Sequence, residues 1–540
     1  MAGLQTRDGV SDIFIIGGGV NGCGIARDAA GRGLHVTLAE MNDLASATSS
    51  ASTKMFHGGL RYLEYFEIGL VAKALKERET LLRAMPHISW PMRFVLPYHK
   101  DMRFQSDTPT SLVLNVIMPW ARGRRPAWII RLGLFLYDTL GSRQILPSTS
   151  TVKLQSDRTG DPLQRRFSYA YEYSDCWIED SRLVVLNARD AQERGAAILT
   201  RTEVIAAERE NGLWKITLED QTSDKISEVY AKILINAAGP WVGDVIADRV
   251  QISSDETVRL VRGSHIVTRR LFDHDKGYFL QGKDGRVVFA IPYETDFTLL
   301  GTTDVDHASA DQAPECTDAE AAYLCDFASE YFEKPVTTDD IVWRFSGVRP
   351  LYDDGAKSAS AATRDYVLSL DHANGQAPLL NIFGGKITTY RKLAEGALAK
   401  IAAFTPGAPG DWTAGVPLPG GDFPVDGVED LIASLTASYP FLDAFWARRL
   451  IKAYGTEAVQ IMGDATSVQD LGQSFGATLT EREVTWLMAR EFAQRAQDVV
   501  WRRSRLGLRM SANEIAALDR WMISAANAGA RVTKPKRARK

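Results

Sequence analysis

Residues 12–40 constrain the fold more than any other stretch of the chain. A short apolar run, Asp12-Ile-Phe-Ile-Ile16, leads into Gly17-Gly-Gly-Val-Asn-Gly22. A helical pattern continues to about Arg32, and a second run, His35-Val-Thr-Leu-Ala39, ends at Glu40. Strand, glycine turn, helix and strand in this order form the βαβ unit that holds a dinucleotide pyrophosphate. Gly17 allows the tight turn. Gly19 lets the pyrophosphate approach the backbone, and Gly22 lets the helix pack closely on the strand. The phosphates meet free N–H groups at the helix start, where the dipole favours negative charge. Glu40 lies 18 residues after Gly22, at a strand end where an acid takes ribose hydroxyls.

Glu40 favours an unphosphorylated ribose and so disfavours NADP. The next stretch favours FAD over NAD. Residues 46–59 read Ser-Ala-Thr-Ser-Ser-Ala-Ser-Thr-Lys-Met-Phe-His-Gly-Gly, a run rich in small hydroxyl and amide donors. Such a loop can run along a buried cofactor and satisfy its polar atoms. Thr48, Ser49, Ser50, Ser52, Lys54, His57, Gly58 and Gly59 are its expected contacts.

At 540 residues the chain exceeds one hydrophobic core. Its net charge of −4 argues against a general nucleic-acid binder. Cys23, Cys176, Cys316 and Cys325 show no paired metal spacing and point to a reducing cytoplasm. The N-terminus lacks a basic stretch followed by an apolar core, so no secretory signal is expected. No apolar stretch reaches the roughly 18 residues of a membrane span.

Periodicity predicts a helix over 67–85 ended by Pro86, a strand over 90–98 and an amphipathic helix over 182–194. A strand and hairpin cover 196–220, turning at Glu210-Asn-Gly-Leu213. Lys232–Gly239 reads as a buried strand entering a glycine turn. Ala238, Gly239 and Trp241 after it, with Val204, are expected on the cofactor. Short alternating runs over 256–350 predict an antiparallel sheet. Leu379–Lys386 is strand then turn, 387–403 is helix, and Pro406–Pro424 reads as a linker. Beyond it the pattern is helical, with Thr480-x-x-Glu483 and Ser511-x-x-Glu514 as capping boxes. The division is cofactor-binding segments at 1–90, 166–245 and 351–404, a substrate or cap region at 91–165 and a substrate sheet at 246–350. A linker at 405–425, a helical domain at 426–530 and a basic tail at 531–540 complete it.

Several motifs go further. Ser49–Glu64, Tyr173-Ser-Asp-Cys-Trp177, Asn236-Ala-Ala-Gly-Pro-Trp241, Arg262-Gly-Ser-His265 and Gly301-Thr-Thr-Asp304 follow one another. Ser346-Gly-Val-Arg-Pro350, Thr363-Arg-Asp-Tyr366 and Phe383-Gly-Gly-Lys-Ile-Thr-Thr-Tyr-Arg391 complete the series. Together they resemble the FAD-dependent, respiratory glycerol-3-phosphate dehydrogenases over roughly residues 10–395, in that family's order. The resemblance implies an α/β Rossmann-like FAD-binding domain of the glutathione-reductase and D-amino-acid-oxidase type. An antiparallel substrate sheet and an all-helical C-terminal cap go with it.

It also implies oxidation of sn-glycerol 3-phosphate to dihydroxyacetone phosphate by hydride transfer to non-covalent FAD, with electrons passing to a membrane quinone. Arg61, Arg349, Arg364 and Lys386 match positions the family uses at its substrate site. A phosphate monoester needs several cations, with arginine preferred for its forked geometry. Arg349 and Arg364 are assigned to phosphate, Lys386 to the reacting oxygen and the flavin, and Arg61 with Tyr62 to the opposite wall. His265 is the expected proton acceptor, since an imidazole near its usual pKa of about 6.5 can take a proton at neutral pH. Thr302 and Thr303 are expected to hydrogen-bond the substrate hydroxyls. The turn Gly384-Gly385 and Thr388, ahead of the helix near Ile387, would donate to the flavin N1–C2=O edge.

Alternatives stay open: a glycerol-3-phosphate oxidase using oxygen, an amino-acid oxidase of the same flavin fold, or a dinucleotide sensor without catalysis. An amino acid would leave a cluster of cations surplus. Peripheral attachment at the cytoplasmic face of an anionic membrane is expected through Ser111–Trp120, flanked by Arg103, Arg122, Arg124 and Arg125. Trp128–Tyr137 extends that surface, and the tail from Arg531 carries six basic residues and no acid. A homodimer is left open.

Overall fold

The computed structural model describes residues 9–100, 102–103, 108–111, 113, 125–141, 143–283, 285–353, 365–372 and 375–532. Arg364, most of the run 111–120, its flanking Arg122 and Arg124, and the tail from 533 lie outside the described residues.

The βαβ unit forms as the sequence predicts. Strand Val10–Ile16 pairs in parallel with Val36–Glu40 on one side and Lys225–Asn236 on the other, with helix Val20–Gly31 between the first two. Ala197–Thr200 and Leu379–Phe383 extend the parallel ladder outward, and Val367–Asp371 caps it antiparallel. Ile13, Phe14 and Ile15 are fully buried, as a strand covered on both faces requires. Helices Asp180–Glu193 and Tyr390–Lys400 pack beside Val20–Gly31. The hairpin Thr202–Glu210 and Leu213–Asp220 turns at Asn211 and Gly212, both with positive φ, which an Asn-Gly turn supplies.

A second sheet of ten strands carries the substrate side. Its path runs Val305–Asp306, Val258–Arg269, Phe297–Gly301, Val287–Tyr293, Gly277–Gln281, Ser89–Pro97, Tyr169–Ile178 and Met55–Phe56. Ile341–Tyr352 joins Val258–Arg269, and Ser150–Lys153 joins Tyr169–Ile178. This corrects the expected grouping of 166–245 with the cofactor segments. Tyr169–Ile178 belongs to the antiparallel sheet, and so does Met55–Phe56 from the first segment. All but the first residue of Tyr169–Ile178 are buried, so no alternation distinguishes it from a parallel core strand.

The stretch 405–425 is a strap rather than a free linker. Trp412 Nε1 donates to Asp28 O (3.0 Å), Arg27 to Val416 O (3.1 Å), and Leu418 N to Ala84 O (2.8 Å). From Val428 onward the chain forms a helical unit with its own core around Trp446, Leu450, Ile461, Val484, Leu487 and Met522. Ser511 and Glu514 form the expected capping box. Thr480 and Glu483 do not. Glu483 is held by Arg449 (2.7 Å) and Tyr454 (2.7 Å), and Thr480 Oγ1 has no hydrogen-bond partner among the described residues. A tertiary salt bridge outcompetes the local cap. No helix among the described residues is long and apolar enough to cross a membrane.

The helical unit docks on the cofactor domain through buried ion pairs: Arg503–Asp43 (2.8 Å), Arg182–Glu491, Arg201–Asp498 (3.0 Å) and Arg505–Asp180 (2.9 Å). Asp43→Asn keeps the shape and leaves Arg503 buried without its counter-charge. Loss of one partner of a buried pair costs about 3–5 kcal/mol. Thermal unfolding should show a clearly lowered midpoint, and an unchanged midpoint would count against this docking.

Candidate active site

A cavity of about 410 Å³ opens where the two sheets and the hydroxyl-rich loop meet. Gly17 sits at φ +108°, and a Cβ on Gly22 would lie 2.0 Å from Gly17 O, so the turn tolerates no side chain at either position. Ser49 Oγ accepts from Val20 N–H (3.0 Å) at the helix start. Glu40 lines the cavity with its carboxylate pinned by Gly18 N–H (2.7 Å) and Asn42 N–H (2.9 Å), and burial raises its pKa. Thr202, Val204, Ala238, Gly239 and Trp241 line the same cavity. A phosphate-sized cradle with an acid at a strand end, continuing along a hydroxyl-rich loop, fits an elongated dinucleotide.

The loop divides its labour more finely than the sequence suggests. Thr48, Ser49, Ser52, Thr53 and His57 line the cavity. Ser50 lies on the other side of the loop, lining a neighbouring cavity. Lys54, expected on the cofactor, is fully buried instead. Its Nζ bonds Asp180 Oδ1 (2.8 Å) and Ser50 O (3.2 Å), and burial with Arg505 nearby pushes its pKa down to about 8. Gly58 donates its N–H to Tyr137 Oη (2.7 Å) and Gly59 bends the chain at φ +75°; neither lines the cavity. Thr388 Oγ1 is engaged with His57 N (3.3 Å) and does not line it either. Gly384 and Gly385 do, at φ +73° and +104°, just ahead of Ile387.

The other chemistry gathers on the antiparallel sheet. His265 lies on Val258–Arg269, paired with Phe345 on one neighbouring strand and Gly301 on the other. Its ring stacks on Phe345 at 4.8 Å and 9°. Nε2 is 3.0 Å from Thr53 Oγ1, and Nδ1 has no hydrogen-bond partner among the described residues. Burial, then Arg349 and Lys54, pushes the imidazole pKa down to about 3, so the ring is neutral at pH 7. Arg349 lines the cavity, bonding Thr302 Oγ1 (3.1 Å) and Asp304. Lys386 Nζ lies 4.0 Å from the centre of the Tyr62 ring, and both residues line the cavity.

Three expected substrate contacts are placed differently. Thr303 Oγ1 accepts from Ser264 N–H (3.0 Å) and donates to Glu320 (2.9 Å), which turns it away from the cavity. Thr302 reaches the site only through Arg349. Arg61 does not line the cavity, because the 3₁₀ turn Leu60–Tyr65 presents Tyr62 there instead. Thr53 is among the residues that the sequence did not single out. It stood inside the hydroxyl run between Ser52 and Lys54, and only the meeting of loop and sheet aims it at His265. Asp311, which accepts from Trp241 Nε1 (2.9 Å), also lines the cavity and had no local signal.

Residues 12–391 match the family model described as FAD dependent oxidoreductase, and residues 412–527 match the C-terminal domain of alpha-glycerophosphate oxidase. The chain is 45% identical to the D-erythritol 1-phosphate dehydrogenase of Brucella abortus, over 95% of this chain and 98% of that one. It is 43% identical to the aerobic glycerol-3-phosphate dehydrogenase of Escherichia coli, over 95% of this chain and 97% of that one. The glycerol-3-phosphate dehydrogenase from Bacillus halodurans, solved in complex with FAD, shares the fold at a TM-score of 0.70 and 24% identity, covering 97% of this chain and 92% of that one. With a family model spanning the cofactor and substrate sheets and a second covering the helical unit, the chain belongs to the FAD-dependent oxidoreductases, and FAD is its cofactor.

Proposed function

We propose that the protein oxidises the secondary alcohol of a short phosphorylated polyol, sn-glycerol 3-phosphate first among them, to the ketone. The observation that carries this reading is His265, a neutral imidazole with an unpaired Nδ1, in one cavity with Arg349 and Lys386. Bound FAD supplies the hydride acceptor. Arg349 grips the phosphate, with Arg364 as its proposed partner. Lys386 lies against the alcohol oxygen and stabilises negative charge there. His265 takes the hydroxyl proton as the hydride leaves carbon. The backbone N–H groups after Gly385 would donate to the flavin. Glu40 holds the adenosine ribose, and the loop from Thr48 to His57 runs along the cofactor.

A second reading, oxidation of D-erythritol 1-phosphate, is supported by the near full-length likeness to the Brucella relative. Adding each compound anaerobically to the holoenzyme and following flavin absorbance near 450 nm decides between them through the ratio of the flavin-reduction rate constant to the apparent Kd. If neither compound bleaches the flavin, the proposed function fails. Electrons are proposed to pass to a membrane quinone. Rapid reoxidation in air without quinone would instead favour an oxidase.

The lipid contact is proposed on the helix Ala127–Leu140. Leu134 and Tyr137 face inward, while Trp128, Leu132, Phe135 and Leu136 are exposed, with Phe66 and Ile68 also exposed on the neighbouring turn and helix start. These helix positions share one face at helical spacing, and a broad exposed apolar face rimmed by a cation such as Arg131 suits shallow burial in an interface. The proposed contact is the extension of the surface expected from the sequence; of 111–120 itself only Ser111, buried, and Val113, exposed, are among the described residues.

Three outcomes follow from this reading. Arg349→Ala should retain FAD but lose about 2–5 kcal/mol of transition-state binding, seen as a collapse of kcat/KM for glycerol 3-phosphate; a near-normal value would remove its phosphate role. Because burial and Arg349 hold the free imidazole near 3, the acid limb of kcat/KM assigned to His265 should lie well below the ordinary histidine range once the phosphate's own ionisation is corrected. The limb in kcat should lie higher, since a bound phosphate offsets Arg349; coincident limbs would contradict this. Replacing Trp128, Leu132 and Phe135 with Ser should reduce sedimentation with anionic liposomes and leave soluble-dye reduction intact, whereas unchanged sedimentation would move the membrane contact elsewhere.

A further inference from the structure

The base proposed above is held by a side chain with no assigned part in the reaction. Thr53 Oγ1 lies 3.0 Å from His265 Nε2, and Thr53 itself lines the cavity. The imidazole cannot turn to another arrangement. Phe345 stacks on one face at 4.8 Å, and the ring lies so close to Gly301 that a Cβ there would meet Cδ2 at 2.1 Å. Thr53 is held just as firmly. On one side, Ser52 Oγ donates to Asp180 (2.8 Å). On the other, Lys54 is locked on the same carboxylate, and Arg505 of the helical unit completes the cluster at 2.9 Å. A neutral imidazole carries one N–H, and the nitrogen that bears it is set by the partner of that nitrogen.

We propose that Thr53 is a positioning residue: it accepts a hydrogen bond from His265 Nε2–H and so keeps the lone pair on Nδ1, which is buried and has no hydrogen-bond partner among the described residues. This rests on His265 being the base. When His265 takes a proton at Nδ1, Thr53 continues to accept from Nε2–H of the imidazolium. The other charged groups around the ring are Arg349 from the paired strand, with Lys54 and Asp180 behind the loop. None of them supplies this hydrogen bond.

The test is stopped-flow flavin reduction by glycerol 3-phosphate in the holoenzyme, across pH, for T53V, T53S, H265Q and the double variant T53V/H265Q. Thr53→Val keeps size and branching and removes only the hydroxyl. It should slow flavin reduction by roughly 10-fold to 100-fold, the usual range for losing a group that orients a working imidazole. The acid limb of the limiting flavin-reduction rate should move to lower pH, because the imidazolium loses its acceptor. FAD content and substrate affinity, read from the flavin spectrum, should stay near wild type. Thr53→Ser should restore both rate and limb, and the T53V defect should vanish in the H265Q background. Unchanged rate and pH limb in T53V overturn the proposal, as does an equal loss in T53S or a loss that persists without His265. If H265Q itself reduces flavin at the normal rate, it is the assignment of the base that fails, which is a separate result.

Discussion

One buried carboxylate ties the molecule together. Asp180 is fully buried at the start of helix Asp180–Glu193, and it holds Lys54, Ser52 and Arg505 at 2.8–2.9 Å. Two cations on one anion leave the cluster net positive in a low-dielectric interior, where each ion has given up its hydration. Such a cluster persists only if every member is hydrogen-bonded. Here the partners come from three parts of the chain: the loop along the cofactor cavity, the second-segment helix and the C-terminal unit. Arg505 thereby ties the helical unit to the same carboxylate that holds the loop. The Asp43, Arg201 and Arg182 pairs nearby reinforce the same seam.

Cations also stand at the end of the cavity where the substrate sheet meets the loop. Arg349 and Lys386 line it, and Lys54 lies behind its wall. Burial first, then Arg349 and Lys54, keep His265 neutral. In the proposed reaction a phosphate dianion would meet Arg349, so the charge that makes the imidazole a weak base in the free protein would be offset by the substrate, and binding and proton transfer would be coupled through Arg349.

Local patterns were legible where one interaction range decided the outcome. The βαβ turn, the Asn-Gly hairpin and the Ser511–Glu514 cap depend on residues within a few positions of each other, and each is formed. The reading failed where distant partners competed. Glu483 left its cap for Arg449, and the aromatic strand Tyr169–Ile178 joined the antiparallel sheet. Thr303, a hydroxyl in a suggestive motif, was taken by Glu320.

From sequence alone came the cofactor class, the order of the segments and a part of the cavity lining, Glu40, Ser49, His265 and Arg349 among it. Those follow from backbone geometry and residue type: only glycine fits at Gly17 and Gly22, and only a strand-end acid such as Glu40 can be pinned beside the turn by Gly18 N–H. Tertiary structure decided which member of each motif does the work. Tyr62 rather than Arg61 faces the cavity, Lys54 supports the loop from behind, and Thr53 meets His265 across 212 positions. The reason is physical: a side chain's facing depends on the register and packing of strands that are remote in sequence, and no local pattern carries that information.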